Sequence, residues 1–465
     1  MLLKEYIDTH FDETLEGISK LIKIKTVKDT PRVDAPFGKN LKFALEEILK
    51  IAKSLGFKTK NLDNYIGYAE IGEGEDYIGI LGHIDVVPEG DIKNWSVLPY
   101  SATIKDGVLI SRGALDNKGP IISALYAVKA LKETNPNFNK RVRVIFGTNE
   151  ESGDEDIKYY LKYEKPPKYA FTPDGRFPVI FSEKGIYTFS YLTNFDFNNT
   201  KVVQLSSGSK SNIIPEKAEV VLKDIDEKSV EELINNIEKK SKCKFYISKV
   251  DSGYIKIEVV GKSGHASHPE RGINSILGMY LLLNNILTEK DSLKEFVSFI
   301  NSNIGETTDG KLLGVDCKNQ ETGDLTISAG ISKIVDNQVY VKFNIRYPFT
   351  TSKDELDRKL GEKVKGSKII FRSENNNNPL YFPKDSILVK TLQRVYKQMT
   401  NRDEEPAALG GGTYAKLMPN TVAFGPNFKE FNGNPHGFDE YIELKMLKEG
   451  MEIYARAILE LGKYL

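Results

Sequence analysis

Tyr77-Ile78-Gly79-Ile80-Leu81-Gly82-His83-Ile84-Asp85 is an apolar run that ends on a histidine and, two residues later, a carboxylate. It reads as a short buried strand running directly into His83. The pattern recurs. Val142-Arg143-Val144-Ile145-Phe146 runs into Glu150 and Glu151, and Tyr169-Ala170-Phe171 runs into Asp174. Helices alternate with these strands. Leu41 to Leu55 has helical spacing, and Pro120 to Leu131 opens with proline near its first turn, where helices accept it. Strand, polar loop and helix in repetition predict an α/β fold with its site beyond the carboxyl ends of the strands. His83, Glu151 and Asp174 fall there, and Asp116 falls just before a helix.

Away from these strands the pattern changes. From about Lys184 to Ile370, strand-like runs (Gly185 to Leu192, Tyr254 to Val260, Gln338 to Arg346) mix with helical ones (Val230 to Lys240, Ile273 to Leu287, Lys353 to Val364). This is an α+β insertion. Ser373 to Pro379, with four consecutive asparagines, reads as a solvated loop, with a hinge or linker as the second reading. Helices are expected at the start (Leu15, Ile18, Leu21, Ile22), over Ser386 to Met399 and over Leu444 to Leu461. The predicted layout is a catalytic α/β domain with a central mixed sheet, built from 1–183 and 376–465, with an α+β lid domain inserted at 184–375.

Composition narrows the function. Lys plus Arg and Asp plus Glu are both 65 in 465 residues, so no charged field points to nucleic acid or an anionic membrane. Hydrophobic content of 40% and charged content of 28% are ordinary for a soluble globular protein. Cys243 and Cys317 are far apart, which argues against a disulfide scaffold and fits a reducing cytoplasm. No signal peptide is expected, and no run is long enough to span a membrane.

Histidine is scarce, with five in the chain, and four of them sit in chemically loaded phrases. His83 and His436, with Asp116, Glu151 and Asp174, form a set suited to two divalent metal ions. Three carboxylates against two dications leave one positive charge, which a shared hydroxide would neutralise. Each residue has a blander reading. Asp116 is either a helix cap or a ligand, depending on where its carboxylate points. The adjacent Glu150 and Glu151 form either a solvated acidic loop or a ligand beside a general base. Asp174 and His436 alone would be turn residues. Asp85 is placed to orient the His83 imidazole. Gly410-Gly411-Gly412 lacks the spacing of a phosphate loop. The glycines alone favour a plain turn, and beside the site they read as a loop that lets backbone approach substrate.

Gly82-His83-Ile84-Asp85-Val86-Val87-Pro88, Arg112 to Pro120, Asn149-Glu150-Glu151-Ser152-Gly153, Gly261 to Ser267 and Asn434-Pro435-His436-Gly437 together resemble the co-catalytic di-zinc peptidases, a family that includes aminoacylase, carboxypeptidase G and bacterial dipeptidases. Thr172 to Val179, Ser211 to Glu219 and Gly410 to Asn420 extend the resemblance to the PepV-type dipeptidase branch. Asn117 stands where many relatives carry a second Asp, at a position that is not a ligand.

The resemblance implies roles. His83 and Asp174 would hold one metal, Glu151 and His436 the other, with Asp116 bridging and Glu150 as general base. The ions would be zinc, with manganese acceptable to the same donors. His265 of the lid would stabilise the oxyanion, Asn212 would assist substrate binding, and Arg346 would grip the terminal carboxylate. The plainer reading of Arg346 is a strand ion pair, and His268 is read as an ordinary surface histidine. Glu183 to Gly185 and Asn375 to Asn378 would be the hinges of the lid. A cis peptide is expected after Asp116. The expected protein is a cytoplasmic, monomeric metallopeptidase cleaving small unblocked dipeptides. The alternatives are an N-acyl amino acid deacylase or desuccinylase, and an inactive binding scaffold on the same fold.

Overall fold

In the computed structural model, which describes residues 2–251, 253–305 and 307–465, the run Tyr77–Leu81 lies inside a strand spanning Glu73–His83. That strand is buried from Tyr77 to His83, as an interior parallel strand must be. Lys140–Gly147 lies parallel on one side, with Gly147 opposite His83, and Tyr169–Thr172 lies parallel on the other. Thr421–Ala423 extends the parallel set beside Tyr169–Thr172. Ile66–Ile71 then Lys58–Leu62 on one flank, and Ile180–Glu183 on the other, pair antiparallel. The sheet is therefore mixed, and its four central strands present their carboxyl ends on one edge.

Helix Lys118–Thr134 packs against the Glu73–His83 strand and is buried at every residue from Ile121 to Val128. Helices Leu3–Ile22 and Leu444–Leu461 cover its other faces, which is why its sequence is apolar all round. Gly82 allows the close approach, since a Cβ there would meet Ile121 Cβ at 2.9 Å. Lys39–Ser54 is amphipathic instead and buries Leu41, Leu45, Ile48 and Ala52 on one stripe. Each large side chain on that stripe contributes roughly 2 kcal/mol of burial.

The chain forms two units. The first comprises Met1–Ser182, Tyr381–Ala407 and Thr413–Leu465, and the second Glu183–Leu380 and Ala408–Gly412. The second is an antiparallel sheet in the order Lys244–Asp251, Tyr254–Val260, Lys217–Lys223, Val202–Ser207, Thr326–Val335, Gln338–Tyr347, Gly185–Asn194 and Ile370–Asn377. Helices Glu227–Ser241 and Ser275–Ile286 pack on one another, and the second also packs on the sheet.

Two expectations are corrected. Asn375–Asn377 is not loop but the end of a strand, with Asn376 and Asn377 opposite Tyr187 and Ile186. The Tyr347 hydroxyl also donates to Asn376 Oδ1 at 2.8 Å, so pairing overrides the turn preference of asparagine. Glu183 and Gly185 likewise lie in strands. The chain crosses between units at Ser182/Glu183 and at Leu380/Tyr381, and Ala408–Gly412 joins the second unit. Lys184 N–H to Leu409 O, 2.9 Å, ties that return segment in place. Neither Cys243 nor Cys317 forms a disulfide, and among the described residues no helix is long and apolar enough to cross a membrane.

Candidate metal centre

His83 ends its strand fully buried. Its Nε2 lies 3.0 Å from Asp116 Oδ1 and 3.7 Å from Asp174 Oδ2. Its Nδ1 lies 3.0 Å from the Asp85 backbone carbonyl and 3.4 Å from the Asp85 carboxylate. The other oxygen of Asp116, Oδ2, lies 3.0 Å from His436 Nε2, which is also 3.1 Å from Glu151 Oε1. One carboxylate thus faces two imidazoles with separate oxygens, and each imidazole has a second carboxylate beside it. The cap reading of Asp116 is displaced: Asn117 is the cap residue of helix Lys118–Thr134, and Asp116 turns to the histidines. The Asp116–Asn117 peptide is cis, as the resemblance implies.

The loops are fixed by buried contacts. The Asp85 carboxylate accepts the backbone N–H groups of Glu150 (3.1 Å) and Glu151 (3.0 Å), so it positions the acidic pair as well as the imidazole. Asp156 accepts from Thr148 N (2.6 Å), Asn149 N (2.9 Å) and the Tyr414 hydroxyl. Asn117 Nδ2 donates to Pro173 O at 2.6 Å and holds the turn that carries Asp174.

Glu440 is a residue the sequence reading missed. It is buried, pairs with Arg112 at 2.8 Å, and accepts N–H groups from Gly113, Leu115 and Asp116 at 3.1, 2.9 and 2.9 Å. Arg112 Nη2 in turn donates to His436 O at 3.4 Å. The pair locks the Asp116 loop to the His436 loop. A Glu four residues after the histidine was the only available signal, and nothing local marks it as buried.

Electrostatics shows what the pocket lacks. Burial alone would lower the His83 pKa, but Asp116, Asp85 and Asp174 outweigh it and hold the imidazole well above its ordinary range. Hydrogen bonds to Asp116 and Glu151 push His436 up to about 11. Burial, with Asp174, Glu151 and Asp116 acting against the pull of His83, holds Glu150 well above a usual carboxyl. Burial and Asp116 likewise raise Glu151. The cluster gathers protons because it has an excess of buried negative charge, and cations would meet the same need. Ligand atoms of His83, Asp116 and Glu151 lie within 4.8 Å of one another, a spacing a divalent ion can join. The donor set of imidazole and carboxylate suits zinc or manganese.

The structure thus brings His83, Asp85, Asp116, Glu150, Glu151, Asp174 and His436 together in the first unit. His265, Asn212, Arg346, Gly411 and Gly412 belong to the second. There, Ile213 pairs with His265, and Asn212 O accepts Ala266 N–H at 3.0 Å. His265 Nδ1 accepts the Ser267 N–H at 3.2 Å, which leaves the proton of a neutral ring on Nε2. Arg346 is buried, with Nε donating to Asn344 Oδ1 (2.8 Å) and Nη1 to Gly410 O (3.1 Å). Among the described residues it has no carboxylate partner, so the strand ion pair is excluded. Burial lowers its pKa to about 10. His268 is exposed, 3.4 Å from Glu270.

Comparison with known proteins follows this geometry. The model of peptidase family M20/M25/M40 matches residues 79–460. "Putative dipeptidase YtjP" of Bacillus subtilis (strain 168) is 34% identical over 464 residues, covering 97% of this chain and 98% of that protein. A "Putative dipeptidase" of Staphylococcus epidermidis (strain ATCC 12228 / FDA PCI 1200) is 34% identical, covering 98% and 99%. Among solved structures, the dipeptidase Dug1p of Saccharomyces cerevisiae shares the fold with a TM-score of 0.60 at 14% identity, covering 99% of this chain and 98% of that one. Human carnosine dipeptidase 1 does so with a TM-score of 0.57 at 15% identity, covering 99% of each.

Proposed function

We propose that this chain, which belongs to the peptidase family M20/M25/M40 and is a metallopeptidase, is a dipeptidase that hydrolyses unblocked dipeptides. The observation that carries the reading is Asp116, whose two oxygens each lie 3.0 Å from a different imidazole. In this reading Asp116 would serve both of two divalent ions, with His83 and Asp174 holding one and Glu151 and His436 the other. Zinc is the ion proposed, with manganese accepted by the same donors. When bound, the ions would supply Lewis acidity toward a carbonyl and toward water.

The chain's own residues carry the rest. Glu150, buried beside the proposed ligands, is the proton carrier: it takes a proton from water and returns it to the leaving amine. Asp85 positions Glu150 through its backbone N–H. His265 is the proposed donor to the developing oxyanion, through Nε2–H. Asn212, adjoining the Ile213–His265 pair, assists substrate binding. Arg346 takes the terminal carboxylate, since a buried guanidinium without an acidic partner is completed by one. Gly411 and Gly412 follow the Gly410 carbonyl that Arg346 binds, and offer backbone without side chains.

Support for a dipeptide over an N-acyl amino acid comes from the names of relatives that match nearly end to end. We further place the protein in the cytoplasm as a monomer, on the strength of its two cysteines, which form no disulfide, and its long inserted unit. The test is a hydrolysis screen of dipeptides, tripeptides and N-acyl amino acids with zinc or manganese. Dipeptides should turn over fastest. Faster turnover of N-acyl amino acids would support the deacylase reading instead, and no turnover with both ions bound would support a binding scaffold.

A further inference from the structure

Arg176 lies two residues beyond Asp174, in the strand Gly175–Arg176, and is half-buried. That strand pairs parallel with Pro426–Asn427, which fixes the Arg176 backbone. Its Nε is buried and has no hydrogen-bond partner among the described residues. No described carboxylate lies within ion-pair distance of its guanidinium. A guanidinium is permanently charged and has five donors, so an idle buried N–H is costly unless something else fills it.

A cavity of about 630 Å³ opens beside it, with Arg402 and Lys429 on its rim and Phe177 and Pro178 in its wall. Arg402 is held in place over the Phe428 ring at 4.6 Å. Neither rim cation has a carboxylate partner among the described residues. Three carboxylates share the rim, but each is engaged elsewhere. Glu404 accepts from the Tyr396 hydroxyl at 2.7 Å, while Asp403 and Glu405 lie 2.5 and 3.7 Å from Lys397. Asp403 and Glu405 are 88% and 76% exposed, and Arg402 and Lys429 are exposed as well, so water screens all four and leaves half-buried Arg176 as the least screened charge. Three cations that lack a carboxylate within ion-pair distance among the described residues therefore line a space of metabolite size with one apolar wall.

We propose that this cavity binds a small oxyanion-bearing molecule, a phosphate or a carboxylate, at a site in the first unit separate from the metal ligands. Arg176 would meet the oxyanion through the part of its guanidinium that lines the cavity, and its buried Nε–H would report the contact. Arg402 and Lys429 would add charge, and Phe177 would pack the rest of the molecule. The proposed reaction assigns no role to these residues.

The test follows the Nε–H resonance of Arg176 by nitrogen–proton NMR in the metal-loaded protein, assigned through Arg176→Met. This readout separates the cavity from any anion that binds at the metals. Inorganic phosphate and succinate are titrated separately at constant ionic strength. A saturable shift with phosphate alone identifies a phosphate-bearing ligand, with succinate alone a carboxylate, and with both the shared oxyanion chemistry. Arg402→Met/Lys429→Met, on the exposed rim, should weaken binding by about tenfold or more, the expected loss of charge-assisted contacts. The proposal is overturned if neither anion moves the Arg176 resonance saturably, or if the rim variant binds as tightly as the parent.

Discussion

The two groups of functional residues are held in different ways. In the first unit, each carboxylate is held by partners far away in sequence: Asp116 by Glu440, and Glu150 and Glu151 by Asp85. In the second, His265 is exposed, and its ring is set by Ser267, two residues away. The proposed metal ligands are held by interlocked buried contacts, whereas the histidine ring is contacted by a residue two positions away. The lesson is that the costly charge assembly is built into rigid strand ends. Changes in the two regions should therefore separate metal binding from turnover.

The largest effect is expected at Glu150. Glu150→Gln keeps every proposed ligand but removes the proton acceptor, so kcat should fall at least about a hundredfold. Metal content, measured by atomic emission, should not change. Near-parental kcat in a metal-replete variant would remove Glu150 from its role.

His265→Ala sharpens the contrast from the other side. Losing an oxyanion donor costs about a hundredfold in kcat. Because His265 belongs to the second unit and every proposed ligand to the first, both ions should stay bound. A variant that loses metal would show that the two regions are not separable as argued.

Arg346 is tested through the substrate. Amidating the carboxyl end of a good dipeptide leaves a buried guanidinium without its counter-charge, and kcat/KM should fall by roughly ten- to a hundredfold. Equal rates on the acid and the amide would return Arg346 to a structural role.

A smaller effect, confined to the metal, is expected at Glu440. Glu440→Gln weakens the lock on the Asp116 loop, and metal affinity should fall about tenfold, in the range for supports of ligands. Competition with a chelating dye reads this directly, and unchanged affinity would contradict the lock.

How far this was legible in the sequence follows the same division. His83, Glu150 and Glu151 stood out because apolar runs end on them, and such runs become interior parallel strands. Asp116 could not be resolved between cap and ligand, since only the folded chain shows that its oxygens face two histidines. Glu440 and Arg112 were illegible: 328 residues separate them, and neither carries a local pattern. Asn375–Asn377 misled because asparagine favours turns in isolation, yet a strand on Gly185–Asn194 supplied its pairing. Arg346 could be suspected only from the resemblance. What distinguishes it is the lack of a carboxylate partner among the described residues, which a sequence cannot display.

The central claim is that Asp116 joins two cations. The most direct measurement is anomalous diffraction at the metal absorption edge from metal-loaded crystals. The account predicts two peaks, one between Asp116, His83 and Asp174 and the other between Asp116, Glu151 and His436. A single fully occupied peak, or peaks that leave either Asp116 oxygen uncoordinated, would contradict it.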